Sequence, residues 1–187
     1  SISKYFDCIE TFKEKNVSMF GINYQQKTTE VNCNYAKVKF LITSGSVINL
    51  NLFQQVGDFD EKLFIDFVDT EYCFRSIQKG FKVIAFSNIY MHHNIGESIE
   101  KYSLKTLKKT SRFFHSSTRL YYMTRNFHYL NSKYKSEFSN ELKVFKKDLL
   151  NRIKNKILYG SKRFTTLKTL YKAVKDFKNN SMGKLPD

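Results

Sequence analysis

Strand and helix signals alternate between residues 40 and 97, and this alternation restricts the fold more than any other feature of the chain. The signals are, in order, a strand over 35–50, a short helix over 52–56, a helix over 69–79 and a strand over 81–86. Gly80 separates the last helix from the last strand, and glycine commonly ends helices. The pattern predicts an α/β fold, in which sites lie at strand ends and helix starts.

The beginning of the chain extends the same pattern. Ile2, Phe6, Ile9 and Phe12 recur at helical spacing, and a buried strand is expected over 17–24. Asn51 is a candidate N-cap for the short helix, which Gly57 would end, while 58–67 reads as an exposed acidic loop.

Ser44-Gly45-Ser46 interrupts the predicted 35–50 strand. Glycine there permits a bulge or the close approach of the backbone to a ligand. A bulge that serves packing alone accounts for the triplet equally well.

Acidic residues are concentrated between Phe59 and Glu71, and two histidines follow the 81–86 strand region. Asp69 falls at a helix start, where unpaired backbone N–H groups favour a carboxylate. From the residues alone, Asp69 is either a helix cap or a catalytic group. Arg75 lies one helical turn after Glu71, so the two could form an ion pair or Arg75 could contact phosphate.

The net charge of +15 is unevenly distributed. Residues 1–99 hold ten Lys and Arg against eleven Asp and Glu, whereas residues 100–187 hold twenty-two against six. Two basic amphipathic helices are expected in the second half, over 140–159 and from Phe164 to Phe177. Such a block favours an anionic partner, either nucleic acid or a membrane surface, although a merely solvated helical face would look the same.

Cysteine usage and hydropathy bear on the compartment. Cys8, Cys33 and Cys73 are odd in number and far apart, so no disulfide framework is expected and a reducing compartment is the default. The sequence contains no run of eighteen apolar residues, so no membrane-spanning helix is expected. Residues 1–5 lack the pattern of a signal peptide.

Several motifs occur in an order that resembles the inverting glycosyltransferases of family 2, particularly bacterial rhamnosyltransferases. The matching segments are Ser44-Gly45-Ser46, Gly57-Asp58-Phe59-Asp60-Glu61, Val68-Asp69-Thr70-Glu71, Gly80, His93-Asn94-Ile95-Gly96-Glu97, Tyr121-Tyr122 with Arg125-Asn126, and Asp176 with Gly183-Lys184. Val68 departs from the family, which often has Glu before the base, so any role of that carboxylate is lost or taken by Asp66.

The resemblance implies an α/β fold: residues 1–110 would be the C-terminal part of a GT-A (Rossmann-like) mixed-sheet domain, and 111–187 a basic helical region. It implies transfer of a sugar from a nucleotide-sugar donor to a polysaccharide precursor or lipid-linked acceptor. The resemblance to rhamnosyltransferases implies that the sugar is rhamnose and the donor dTDP-rhamnose. The family's metal-binding Asp-x-Asp lies just before a helix like the one expected at the start of this chain, and it is absent at that place, so the chain would begin just after it. The chain alone is therefore expected to be inactive.

The resemblance also implies roles for individual residues. Asp69 would be the general base, and His93 would be the ligand of a divalent cation, Mg²⁺ or Mn²⁺. His93 is preferred over His92 because it alone has the x-Ile-Gly-Glu continuation. Substrate binding is expected from Ser44, Gly45, Asp66, Glu71, Arg125 and Asn126.

The implied location is cytoplasmic, with the basic helices suited to the inner face of the cell membrane. Ordinary packing of their apolar stripes is the alternative for these helices, and both can hold at once. A basic module that binds nucleic acid or a membrane surface is the alternative function. Tyr121, Tyr122 and Phe127 could stack on bases, but no nucleic-acid signature accompanies them.

Overall fold

The computed structural model describes residues 2–24, 32–91, 98–102 and 108–186. In these ranges the chain forms six helices and six strands, so its mixed α/β character is confirmed. It divides into two compact units: unit 1 is Ser1–Asp60 with Val68–Asn94, and unit 2 is Glu61–Phe67 with Ile95–Asp187. The domain boundary at residue 110 stays a prediction.

A small mixed sheet is the centre of unit 1, with strand order β2-β4-β1-β3. Its two inner strands, β1 (Val17–Asn23) and β4 (Lys82–Tyr90), run parallel. The outer strands are short and antiparallel to their neighbours: β2 (Tyr35–Lys37) pairs with β4, and β3 (Val47–Ile48) pairs with β1. The strands predicted over 17–24 and 81–86 are confirmed.

Side chains alternate between the two faces of this sheet, as the pleat of a strand requires. Phe20 of β1 and Ile84 of β4 belong to a core cluster with Tyr5 and Cys8 of helix α1 (Ile2–Glu10). The other cluster joins sheet residues to helices α2 (Leu50–Val56) and α3 (Val68–Gln78), and its buried members are Met19, Leu41, Val56, Tyr72, Cys73 and Val83.

The strand predicted over 35–50 is largely wrong, because only β2 and β3 at its two ends are strand. The Val38 N–H still donates to the Val83 carbonyl of β4, but residues 39–46 leave the sheet edge, and Leu41 packs against Gly21 of β1. A Cβ atom at position 21 would lie 2.3 Å from the Leu41 Cδ2 atom. This contact between distant segments outweighs the strand preference of the local sequence.

Both helices that follow in unit 1 have identifiable ends. Asn49, and not Asn51, is the N-cap of α2, and its side chain accepts a hydrogen bond from the Asn51 N–H. Gly57 ends α2 with φ of 93°, and Gly80 follows α3 with φ of 83°. Both glycine stops were predicted, since a left-handed backbone favours glycine.

Cys8 and Cys33 form a disulfide, so the expectation that the cysteines stay unpaired is wrong. They are 25 residues apart in sequence, but their Cα atoms are 5.5 Å apart, because Cys33 lies beside α1 just before β2 begins. Cys73 is buried and remains a free thiol. The expectation of a reducing compartment rested on unpaired cysteines and loses that support.

Unit 2 contains a pair of antiparallel strands and three long helices. Strands β5 (Ser98–Tyr102) and β6 (Lys109–Phe113) pair in antiparallel register, which the sequence did not predict. Helices α4 (Ser117–Tyr134), α5 (Ser139–Tyr159) and α6 (Arg163–Lys178) follow, and the last two confirm the predicted amphipathic helices.

The apolar stripe of α6 is only partly packed. Its residues Leu170, Val174 and Phe177 are half-buried, whereas Phe164, Leu167 and Tyr171 are exposed. Within the described ranges, no helix is both long and apolar enough to cross a membrane.

Candidate active site

The Asp69 carboxylate is fixed at the first turn of α3 in unit 1. Its Oδ2 atom accepts a hydrogen bond from the Thr43 backbone N–H at 3.0 Å and another from the Thr43 hydroxyl at 3.3 Å. Its Oδ1 atom accepts from the Thr70 N–H at 2.8 Å. The side chain is partly exposed, so an oriented carboxylate at a helix start is accessible to a ligand. Sequence reasoning missed Thr43, for which the neighbouring Ser44 was the only signal.

Ser44 and Gly45 form a tight turn directly after Thr43. Gly45 has φ of 66°, and a Cβ atom there would lie 2.5 Å from the Ile22 Cδ1 atom. Close packing of a core side chain against the backbone therefore accounts for the glycine, and approach of a ligand to it stays a prediction. The Tyr24 hydroxyl donates a hydrogen bond to the Ser44 carbonyl, which ties the turn to the end of β1. Substrate binding by Ser44 and Gly45 stays a prediction.

Glu71 and Arg75 form the ion pair that their spacing suggested. The Glu71 side chain is fully buried, and its Oε2 atom lies 3.0 Å from Arg75 Nη2. The Arg75 guanidinium also donates to the carbonyls of Val56 at 2.9 Å and Asp58 at 2.6 Å. The pair thus joins α3 to the chain that leaves α2. This geometry favours an orienting role for Glu71, and its contact with an acceptor stays a prediction.

Residues 61–67 of unit 2 form a loop with an unusual backbone. Phe64, Asp66 and Phe67 have φ values of 61°, 62° and 68°, in the left-handed region that side chains normally avoid. Each such residue costs of the order of 1 kcal/mol. A loop with three of them persists only because its surroundings hold it.

Asn126 and Arg125 of α4 hold this loop from the interior of unit 2. Asn126 Nδ2 donates to the carbonyls of Leu63 at 2.8 Å, Ile65 at 2.7 Å and Asp66 at 3.1 Å. Arg125 Nη2 donates to the Lys62 carbonyl at 3.2 Å, and its Nε atom donates to Asn126 Oδ1.

Both α4 side chains are almost completely buried, so they are not part of an exposed polar helix face. Arg125 also lies over the rings of Tyr121 and Tyr122. Binding of acceptor or diphosphate by either side chain stays a prediction.

Asp66 is paired with a cation that the sequence did not identify. Its Oδ1 atom lies 3.1 Å from Arg119 Nη2, and its own side chain is mostly buried. His115 is also part of this cluster, in hydrogen-bond contact with Arg152. Burial lowers the pKa of His115, and the nearby Arg152 and Arg119 charges act in the same direction. A substrate contact of Asp66 stays a prediction.

The expected metal ligand, His93, lies outside the described residues, as does the rest of its motif. Among the residues that are described, no three or more His, Cys, Asp or Glu side chains gather into a possible metal site. Asp69 offers one carboxylate, which falls short of the donor set that a divalent cation needs. The cation therefore stays a prediction.

The chain is similar to a curated bacterial protein over part of its length. The chain is 34% identical over 111 residues to the dTDP-rhamnosyl transferase RfbF of Shigella flexneri. The match covers 59% of this chain but 36% of that protein, so the chain spans about a third of the length of the curated relative it matches. No protein-family model and no solved structure matches the chain, and the family 2 assignment and GT-A fold stay predictions.

Proposed function

We propose that this chain is part of an inverting, family 2-like glycosyltransferase that moves rhamnose from dTDP-rhamnose to a polysaccharide or lipid-linked acceptor. The observation that carries the proposal is the 34% identity to a dTDP-rhamnosyl transferase. The oriented, partly exposed carboxylate of Asp69 supports it, because the reaction needs a base at a fixed position.

In the proposed reaction, the oxygen of an acceptor hydroxyl bonds to C1 of the sugar on the face opposite the diphosphate. The bond between C1 and the diphosphate oxygen breaks, and its electron pair leaves with the nucleoside diphosphate. The acceptor proton passes to the Asp69 carboxylate. Thr43 and Thr70 fix the direction of this carboxylate, which reduces the reorganisation needed for proton transfer.

The remaining site residues have supporting roles in this proposal. Ser44 and Gly45 would contact donor or acceptor through the turn beside Asp69. Glu71 would orient the first turn of α3 through its ion pair with Arg75. Asp66, Arg125 and Asn126 complete the predicted substrate-binding set.

A divalent cation held by His93 would neutralise the charge of the departing diphosphate when bound. Because the described residues do not assemble its donors, no step of the reaction above runs through it. A cytoplasmic location remains part of the proposal.

The test uses the complete product of the source gene, because the chain covers a third of its relative. Asp69→Asn should lower turnover of dTDP-rhamnose by roughly 10²-fold or more while the Kd for the donor changes little. Asp58→Asn, an exposed carboxylate in the turn after α2, is the matched control and should keep full activity.

Two results would contradict the proposal. Equal loss of turnover and donor binding in Asp69→Asn would make Asp69 a structural cap. Sugar transfer by the 187-residue chain alone would show that the motifs are wrongly placed.

A further inference from the structure

Helix α6 presents a continuous outward face with large apolar side chains. Phe164 is 86% exposed, Tyr171 is 74% exposed and Leu167 is 48% exposed. At 100° per residue, positions 164, 167 and 171 fall on one side of the helix over its first two turns. Exposure of three neighbouring large apolar side chains is costly in water, which indicates a surface that meets something else.

The opposite side of the same helix is packed within unit 2. Thr166 and Ala173 are buried, and the Thr166 hydroxyl lies 3.1 Å from the Ser117 hydroxyl of α4. Asp176, the acidic residue of α6, accepts a hydrogen bond from the Tyr121 hydroxyl of α4 at 2.6 Å. The helix is therefore fixed by one face, and the apolar stripe is left outward by that packing.

Lysines accompany the apolar side chains on the outward face. Lys168, Lys175 and Lys178 are exposed and lie within the same half of the helix as the Phe164 to Tyr171 stripe. Phenylalanine, leucine and tyrosine flanked by lysine are the residues that immerse in the boundary of a lipid bilayer while their cations stay at the headgroups.

We infer that this outward face of α6 is a docking surface for an anionic lipid bilayer, on which the helix lies parallel to the membrane plane. Charge complementarity supports this partner, because residues 100–187 hold twenty-two Lys and Arg against six Asp and Glu. A second copy of the chain would bring like-charged lysines together. Nucleic acid would use the lysines and could stack on the aromatic rings, but it offers nothing to Leu167. The inference goes beyond the proposed function and does not depend on it.

The chain contains no tryptophan, so a single one can report on the surface. Phe164→Trp in the full 187-residue chain should show a blue-shifted emission with vesicles of equimolar phosphatidylcholine and phosphatidylglycerol, and none with phosphatidylcholine alone. Leu50→Trp is the matched control, because Leu50 is 78% exposed on α2 of unit 1, and its emission should stay unchanged.

Flotation with the same anionic vesicles measures the contribution of each side chain. Phe164→Ser and Tyr171→Ser should each lower the partition coefficient roughly tenfold, since each removes an aromatic ring from the bilayer boundary. Lys168→Gln with Lys175→Gln should lower it roughly fivefold for each lysine at low salt. Leu50→Ser, and Lys13→Gln with Lys15→Gln, are exposed controls that should bind as the unchanged chain does.

Three results would overturn the inference. The first is vesicle binding that falls with the lysine changes but not with Phe164→Ser or Tyr171→Ser, accompanied by equally tight binding to polyuridylate. The second is self-association that Phe164→Ser abolishes, which would make the stripe an interface between two copies of the chain. The third is an unshifted Phe164→Trp emission at saturating anionic vesicles.

Discussion

Replacing Asn126 by leucine would remove the side chain that holds the left-handed loop of unit 2. Asn126 is completely buried, and its amide donates to three backbone carbonyls of residues 63–66. Leucine has the same number and branching of heavy atoms and is larger, so the change removes the hydrogen bonds without opening a cavity. The loop would then lose the contacts that offset the unfavourable φ values of Phe64, Asp66 and Phe67.

The expected cost follows from the contacts that are lost. The two amide hydrogens of Asn126 are shared among three carbonyls, and each hydrogen bond is worth about 1 kcal/mol. The Asn126 oxygen also accepts from the buried Arg125 Nε, and a hydrogen bond to a charged group is worth roughly 1.5 kcal/mol or more. We expect Asn126→Leu to lower the free energy of unfolding by about 3 kcal/mol.

Urea unfolding followed by circular dichroism measures this loss of stability, and hydrogen exchange shows which residues are destabilised. Asn151→Leu is the matched control, since Asn151 is exposed on α5, and it should change stability by less than about 0.5 kcal/mol. The Ile65 amide, which donates to the Leu63 carbonyl, should exchange faster in Asn126→Leu alone.

If the two variants lose the same stability, Asn126 does not hold the loop. Faster exchange throughout α5, without a preference for residues 63–67, would also refute the reasoning.

Two further predictions concern protonation and the disulfide. Burial lowers the pKa of both His115 and His128 in the folded chain, so the unfolded chain binds the extra protons first and stability should fall as pH drops below the ordinary value of 6.5. The urea midpoint should depend less steeply on pH when both histidines are replaced by glutamine. An unchanged dependence on pH would exclude the two histidines as its source. Cys8→Ser should lower the free energy of unfolding by about 3 kcal/mol, because the disulfide closes a 25-residue loop. Dithiothreitol should then destabilise the unchanged chain but not the variant, and equal sensitivity of the two would contradict the estimate.

Elements with local boundary signals could be predicted from the sequence. Helix α3 ends just before Gly80, helices α5 and α6 lie on either side of Gly160, and each is within two residues of its expected bounds. Strand β4 begins one residue after its expected start and continues four residues beyond its expected end. These glycines act locally, so periodicity and stops are sufficient there. The strand prediction failed over residues 38–46, because Leu41 packs on Gly21. This contact joins two distant segments, so the strand preference of the local sequence does not reveal it.

The candidate site divides in the same way. Asp69 is at the helix start where its motif and the capping rule both put a carboxylate. The burial of Arg125 and Asn126 could not be inferred, because their partners are carbonyls of a loop 60 residues away. Nothing in the sequence signals left-handed Phe64 and Phe67 either, since bulky residues rarely adopt that conformation.

The free thiol of Cys73 has a consequence for the lifetime of the Cys8–Cys33 crosslink. Burial raises the pKa of Cys73 to about 12, and thiol–disulfide exchange requires a thiolate in contact with the disulfide. In the folded state Cys73 lies instead against Met19, with the two sulfur atoms 3.5 Å apart. Internal reshuffling of the crosslink must therefore wait until Cys73 is released, so the rate of mispairing is limited by how often unit 1 opens.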